Sequence, residues 1–155
     1  MSKSLARVTR ALEAAGLSVR PLEMPGETRT AEQAAAAGCA LDQIVKSILF
    51  AGAESGRLYL FMTAGGNRID AAKASAMAGE ALERAGAGQV RAVTGFAIGG
   101  VSPVGHLTPS PQFLDPRLLD FPQIWCAAGT PRHIFAIAPY DLLRITGARP
   151  ERFTA

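Results

Sequence analysis

The sequence is short of cysteine, of lysine and of long apolar runs, and each shortage excludes something. Two cysteines in 155 residues, Cys39 and Cys126, lie far apart. That spacing suggests neither a disulfide framework nor a thioredoxin-type pair, and both thiols read as buried and reduced. His106 and His133 would complete a four-ligand set with them, but neither Cys-x-x-Cys nor His-x3-His spacing is present. No metal and no cofactor are expected. Apolar runs such as Ile48 to Ala51 and Ala34 to Ala37 fall far short of a membrane span. Met1-Ser-Lys-Ser leads into a polar-faced helix rather than a signal peptide, so the expected compartment is the cytoplasm, without a membrane partner.

Charge is sparse as well, at 19% against 48% hydrophobic residues and a mean hydropathy of +0.16. That is the composition of an ordered chain, and 16.2 kDa suits one compact domain spanning residues 1–155. The net charge of +3 and isoelectric point near 9.2 favour an anionic partner without identifying one. Lysine supplies only three of the sixteen basic residues, at positions 3, 46 and 73. A GC-rich genome produces that bias, so the ratio proves nothing, but each lysine is worth inspecting.

Apolar residues at Leu5, Val8, Leu12 and Ala15 recur at helical spacing, with Gly16 as the stop. Ser18 to Met24 alternates like a strand; Thr30-Ala-Glu-Gln33 reads as a capping box opening a short helix that Gly38 ends. Ile44 to Ala51 and Leu58 to Ala64 are strand-like runs around the hairpin candidate Gly52 to Gly56, and should lie mid-sheet. After the turn Gly65-Gly66-Asn67, Asp70 caps a helix through Ala78, and Glu80 to Ala85 reads as a second helical piece. Gly95 to Gly105 is a shaped loop. Phe113-Leu114 reads as a short strand, Asp115 to Leu119 as a helical turn, Ile124 to Ala128 and Ile134 to Ala138 as strands around Gly129 to Arg132, and Pro139 as the start of a last helix ending at Gly147. The pattern predicts an α/β (α+β) fold, with a mixed, mostly antiparallel, curved or barrel-like sheet surrounded by helices.

Two segments carry chemistry. Period two puts Ile44, Lys46, Ile48 and Phe50 on one strand face, so an ammonium emerges among apolar side chains. A strand lysine is most often an edge guard or a snorkelling cation, but at a cleft it binds a phosphate or carbonyl oxygen as a point charge. In Gly95-Phe-Ala-Ile-Gly-Gly-Val-Ser-Pro-Val-Gly105, closely spaced glycines let backbone N–H groups approach a ligand and hold an oxyanion. The loop matches neither Gly-x4-Gly-Lys-Ser/Thr nor Gly-x-Gly-x-x-Gly, which disfavours nucleotide binding of those kinds.

Taken in order, Gln43-Ile-Val-Lys-Ser47, the Gly95 to Gly105 loop and Ala127-Ala-Gly-Thr130 resemble the YbaK and prolyl-tRNA synthetase-associated editing-domain family. The resemblance runs from the first helix to about Gly147. It implies a mixed α/β barrel-like fold and an aminoacyl-tRNA hydrolase, metal-independent and acting in trans. Its substrate would be mischarged tRNA, typically an alanyl or cysteinyl ester on tRNA for proline. Prolyl-tRNA synthetase would be a candidate partner, and DNA would not. The resemblance casts Lys46 as the family's essential lysine and Gly99, Gly100, Ser102, Pro103 and Gly105 as its glycine loop. Lys46, Gly99 and Gly100 are then the expected catalytic residues, and Ser102, Pro103 and Gly105, with Gly129 and Thr130 of the late turn, the expected substrate-binding ones. His106, which directly follows the loop, joins the substrate-binding set and is also a general-base candidate, although a loop histidine is more often solvated or hydrogen-bonded. One departure is the late turn, Ala128-Gly129-Thr130-Pro131-Arg132, where cysteine-specific members carry a Gly-Gly pair followed by basic residues. Alanine or another small residue is therefore as open as cysteine. Two alternatives stand beside this: a non-catalytic module binding tRNA or a synthetase, and a thiol hydrolase using Cys126 with His133.

Overall fold

A computed structural model describes residues 2–26, 35 and 38–155. The capping box at 30–33 lies outside them. Helix α1 (Lys3–Ala14) starts where the Ser2 hydroxyl accepts from the Ser4 and Leu5 amides, and it buries Val8 and Leu12. The expected strand from Ser18 shrinks to β1 (Leu22–Glu23). The chain pairs there with Ile134 and His133, and the Met24 amide continues the contact to the Arg132 carbonyl.

Strands β2 (Val45–Gly52) and β3 (Leu58–Ala64) form the expected hairpin, in register from Val45–Ala64 to Ala51–Leu58. Every residue of β3 is buried, because both faces of the sheet are covered. Helix α2 (Ala71–Ala78) is capped by the Asp70 carboxylate and ended by Gly79 at φ +81°. The second helical piece after it does not form. Residues Leu82–Arg84 are instead strand β4, paired with Phe50 to Gly52. The Glu80 carboxylate, which the helical reading would have left in solvent, accepts from the Glu54 and Ser55 amides, the Ser55 hydroxyl and the Tyr59 hydroxyl, tying the chain to the hairpin turn.

A helix absent from the sequence reading follows, α3 (Ala87–Thr94), ended by Gly95 at φ +81°. The Gly95 to Gly105 loop leads to β5 (Gln112–Leu114), a 3-10 turn (Pro116–Asp120) capped by Asp115, β6 (Ile124–Ala127), β7 (His133–Ile137), α4 (Pro139–Thr146) and β8 (Arg149–Pro150).

The strands make two sheets, one of order β4-β2-β3-β5-β8 and one of order β1-β7-β6. Pairings are antiparallel except β3 with β5 and β5 with β8. A single parallel bridge, Ile44 to Trp125, links the sheets. The barrel-like expectation is thus corrected: the sheets do not close, because β4 pairs with β2 only from Phe50 to Gly52 and β6 is bridged to this segment only at Ile44, the residue before β2. The main core fills the space between the sheets, joining Leu49, Leu60 and Met62 to Val8, Leu12, Phe96, Ile124, Phe135 and Leu142. A second core on the other face gathers Tyr59, Phe113 and Phe153 around Phe61, with α2 above it.

Candidate active site

Lys46 stands directly across β2–β3 from Thr63, half-buried, on the face opposite the main core. Its Nζ donates to the backbone oxygen of Asn67, just past the end of β3. That oxygen is held in place by a braced turn. The Asn67 amide donates to Ala64 O (2.9 Å), and Asn67 Nδ2 donates to Asp115 Oδ2 (2.8 Å). Asp115, 2% exposed, also accepts from the Ala64 amide at 3.1 Å. The Gly66 amide donates to Asp42 Oδ1 (2.9 Å), and Arg117 Nε donates to Asp42 Oδ2 (3.1 Å). An ammonium carries three donors, so this carbonyl leaves Lys46 with capacity for a ligand oxygen. The sequence reading missed Asn67, Asp42 and Asp115 as its supports. The only signal was their position at a turn and a helix cap.

The glycine loop is set between α1 and the Gly129 turn. Gly99 has φ +93° and Gly105 φ +78°, conformations that side chains rarely adopt. A Cβ on Gly100 would meet the Thr130 backbone at 3.0 Å, and one on Gly129 would meet the Ser4 backbone at 2.9 Å. Two sequence-predicted parts, the loop and the late turn, are therefore in contact. The Thr130 hydroxyl accepts from the Arg132 amide and lies 2.6 Å from His133 Nδ1. Among the described residues, the N–H groups of Gly99, Val101 and Ser102 find no acceptor. Val101 and Ser102 are buried, and buried amides ordinarily require a partner.

Where the loop passes β2 there is a cavity of about 310 Å³, lined by Ser47, Ile48, Leu49, Arg84, Gly99 and Val101 among others. It occupies the stretch of the β2 edge that β4 leaves uncovered. Lys46 is the neighbouring residue on that strand and makes no hydrogen bond to the loop among the described residues. Lys46 does not line this cavity: its side chain leaves β2 on the face opposite the core that holds the loop's Phe96 and Val101, so the structure does not bring the lysine and the loop into contact.

Comparison with known proteins decides the family. The model of the aminoacyl-tRNA editing domain matches residues 25–145. The chain belongs to that family. The editing domain superposes over 100% of its length on 99% of a crystal structure of a candidate trans-editing enzyme for prolyl tRNA synthetase, with TM-score 0.92 and 47% identity. The hypothetical protein APE2540 is 28% identical with TM-score 0.88, over 96% of this chain and 99% of that one. The uncharacterised protein YwhH of Bacillus subtilis (strain 168) is 31% identical over 121 residues, 77% of this chain and 76% of that protein.

Within the editing domain, the remaining sequence-predicted residues have structural partners. Ser102 is fully buried, its hydroxyl accepts from the Val104 amide (3.3 Å), and its carbonyl accepts from His106 Nε2. The Pro103 carbonyl accepts from Gln112 Nε2 (3.0 Å). Burial lowers the His106 pKa, the Ser102 carbonyl opposes that, and the Arg7 charge adds to it. The His106 Nδ1 is buried without a partner among the described residues. His106 lines a different cavity, of about 250 Å³, with Ala11, Gln112 and Ile145.

The thiol alternative loses its geometry. Cys126 is fully buried in the main core, and burial alone pushes its thiol far above the ordinary value. Cys39 is half-buried, against the expectation that both thiols are buried. Among the described residues, no three His, Cys, Asp or Glu side chains converge as a metal site would require, and no helix is long and apolar enough to cross a membrane.

Proposed function

We propose that the editing domain hydrolyses the ester of mischarged tRNA, taking an alanyl or cysteinyl group from tRNA for proline. The observation that carries this reading is the unpaired set of loop amides at Gly99, Val101 and Ser102 beside a cavity bounded by the lysine strand. An aminoacyl ester is already activated, so water is nucleophile enough. Water attacks the carbonyl carbon, and the loop amides receive the oxygen as it becomes an oxyanion. When the intermediate collapses, the ribose oxygen leaves and takes a proton from the attacking water, giving the free amino acid and uncharged tRNA. Lys46, held by the Asn67 carbonyl, supplies a fixed positive charge for the 3′-terminal phosphate or the ester oxygen. Similarity to the candidate trans-editing enzyme for prolyl tRNA synthetase supports tRNA for proline as the substrate.

The test is deacylation of tRNA for proline charged in turn with alanine, cysteine, serine and proline. One non-cognate ester should be hydrolysed and prolyl-tRNA spared. Lys46→Ala should lose about a hundredfold or more in rate, the scale of a lost oxyanion-stabilising donor. No turnover of any ester would leave a binding module in place of an enzyme.

A further inference from the structure

The loop that offers its amides has a brace that neither the composition nor the motif reveals. Arg7 projects from α1 to the first and last residues of the loop: Nη2 donates to Gly95 O (2.9 Å) and Nε donates to Gly105 O (3.1 Å). Ser4 Oγ donates to the same Gly95 oxygen at 3.1 Å. The guanidinium also lies 5.0 Å from the centre of the Phe96 ring, inside the loop. The approach depends on glycine at both ends. A Cβ on Gly95 would fall 2.3 Å from Arg7 Nη2, and one on Gly105 would fall 3.2 Å from the Arg7 backbone. Arg7 has no carboxylate partner among the described residues, so its charge serves these two carbonyls. A planar fork of donors can span two acceptors and stack on a ring at once, which a lysine ammonium cannot do.

We propose that Arg7 is a positioning residue for the glycine loop, clamping both ends so that the amides of Gly99, Val101 and Ser102 are presented together to the ester oxygen. Fixing the two end carbonyls removes hinge freedom from the backbone between them. The loop then carries its donors preorganised rather than ordering them on binding. The catalytic consequence rests on the editing reading above, whereas the brace itself is a property of the fold.

The experiment pairs a structural and a kinetic readout on Arg7→Met, Arg7→Lys and Ser4→Ala. Arg10→Met, an exposed charge on the same helix, serves as control. Amide hydrogen exchange at Gly100, Val104 and Leu107, each hydrogen-bonded within or next to the loop, reports its order. Exchange should quicken at these amides in Arg7→Met while the β2 and β3 amides keep their protection. In the deacylation assay kcat should fall about tenfold to a hundredfold with KM nearly unchanged, as expected for misplaced transition-state donors. Arg7→Lys should recover part of the loss, Ser4→Ala should show a smaller one, and Arg10→Met should match wild type. Unchanged loop exchange in Arg7→Met overturns the brace even if no ester is ever turned over. Quickened exchange with full kcat overturns the positioning role. An inactive wild type with a loosened Arg7→Met loop would instead count against the editing reading and leave the brace standing.

Discussion

Glu80 illustrates how much one side chain organises. Four donors meet its carboxylate, and these bonds, led by the Ser55 hydroxyl, hold its pKa at about 2 against an ordinary 4.5. The bond that the Tyr59 hydroxyl donates to this carboxylate raises the phenol's pKa, because it stabilises the protonated form beside a negative charge. The sign follows from linkage: an acid whose folded pKa is depressed stabilises the fold fully above its unfolded pKa and loses that contribution as pH falls through the folded one. Glu80→Gln should therefore lower the thermal midpoint above pH 4.5, and the gap to wild type should close between pH 4.5 and 2. Thermal melts across that range check it. A gap that persisted unchanged to pH 2 would mean that the carboxylate charge is not what the hairpin uses. Lys46 belongs to the same scale. Its place on a strand face was legible from period two, but its carbonyl partner and the acids behind that turn were not, because they arrive from three other segments of the chain.

At the scale of elements, the Gly129 turn and α1 interlock by backbone contact. Gly129 combines φ +96° with a Cβ position 2.9 Å from the Ser4 backbone, whereas Gly56 has φ +71° and open space around it. Gly56→Ala carries backbone strain alone, about 1–3 kcal/mol, and Gly129→Ala should cost more because α1 must also move. Denaturant unfolding of the two variants makes the comparison, and equal losses would show that the turn and α1 are not tightly apposed. Strong local signals made most elements readable: the Asp70 cap, the glycine stops at Gly79 and Gly147, and the hairpin Gly52 to Gly56. The failures have tertiary causes. Leu82–Arg84 pairs with β2 because Glu80 is tied to the hairpin, and α3 was hidden because Ala-Gly-Gln-Val-Arg-Ala-Val-Thr has a glycine and β-branched residues that weaken a helical pattern. The loop was legible as a shaped, non-helical segment from its glycines. Its brace was not, since Arg7 precedes it by almost the whole length of α1 through α3.

For the whole molecule, the proposed site lies at the edge where two sheets fail to close, and the charge around that gap is what a polyanion would meet there. Arg84 lines the cavity and Arg132 follows the Thr130 turn; both are exposed, and neither has a carboxylate partner among the described residues. Arg117 and Arg144, by contrast, are paired with Asp42, Asp120 and Asp141. A net charge of +3 is too small to hold tRNA by a general field, so affinity should depend on a few local contacts. Binding of tRNA should weaken as salt rises, with a shallow slope of log affinity on log salt. Arg84→Gln and Arg132→Gln should each weaken binding and reduce that slope by about one, the signature of a single lost phosphate contact. Filter binding across a salt series measures both quantities. A slope untouched by either substitution would move the tRNA backbone away from this edge, and the glycine loop would then need a substrate that approaches from the other side of β2.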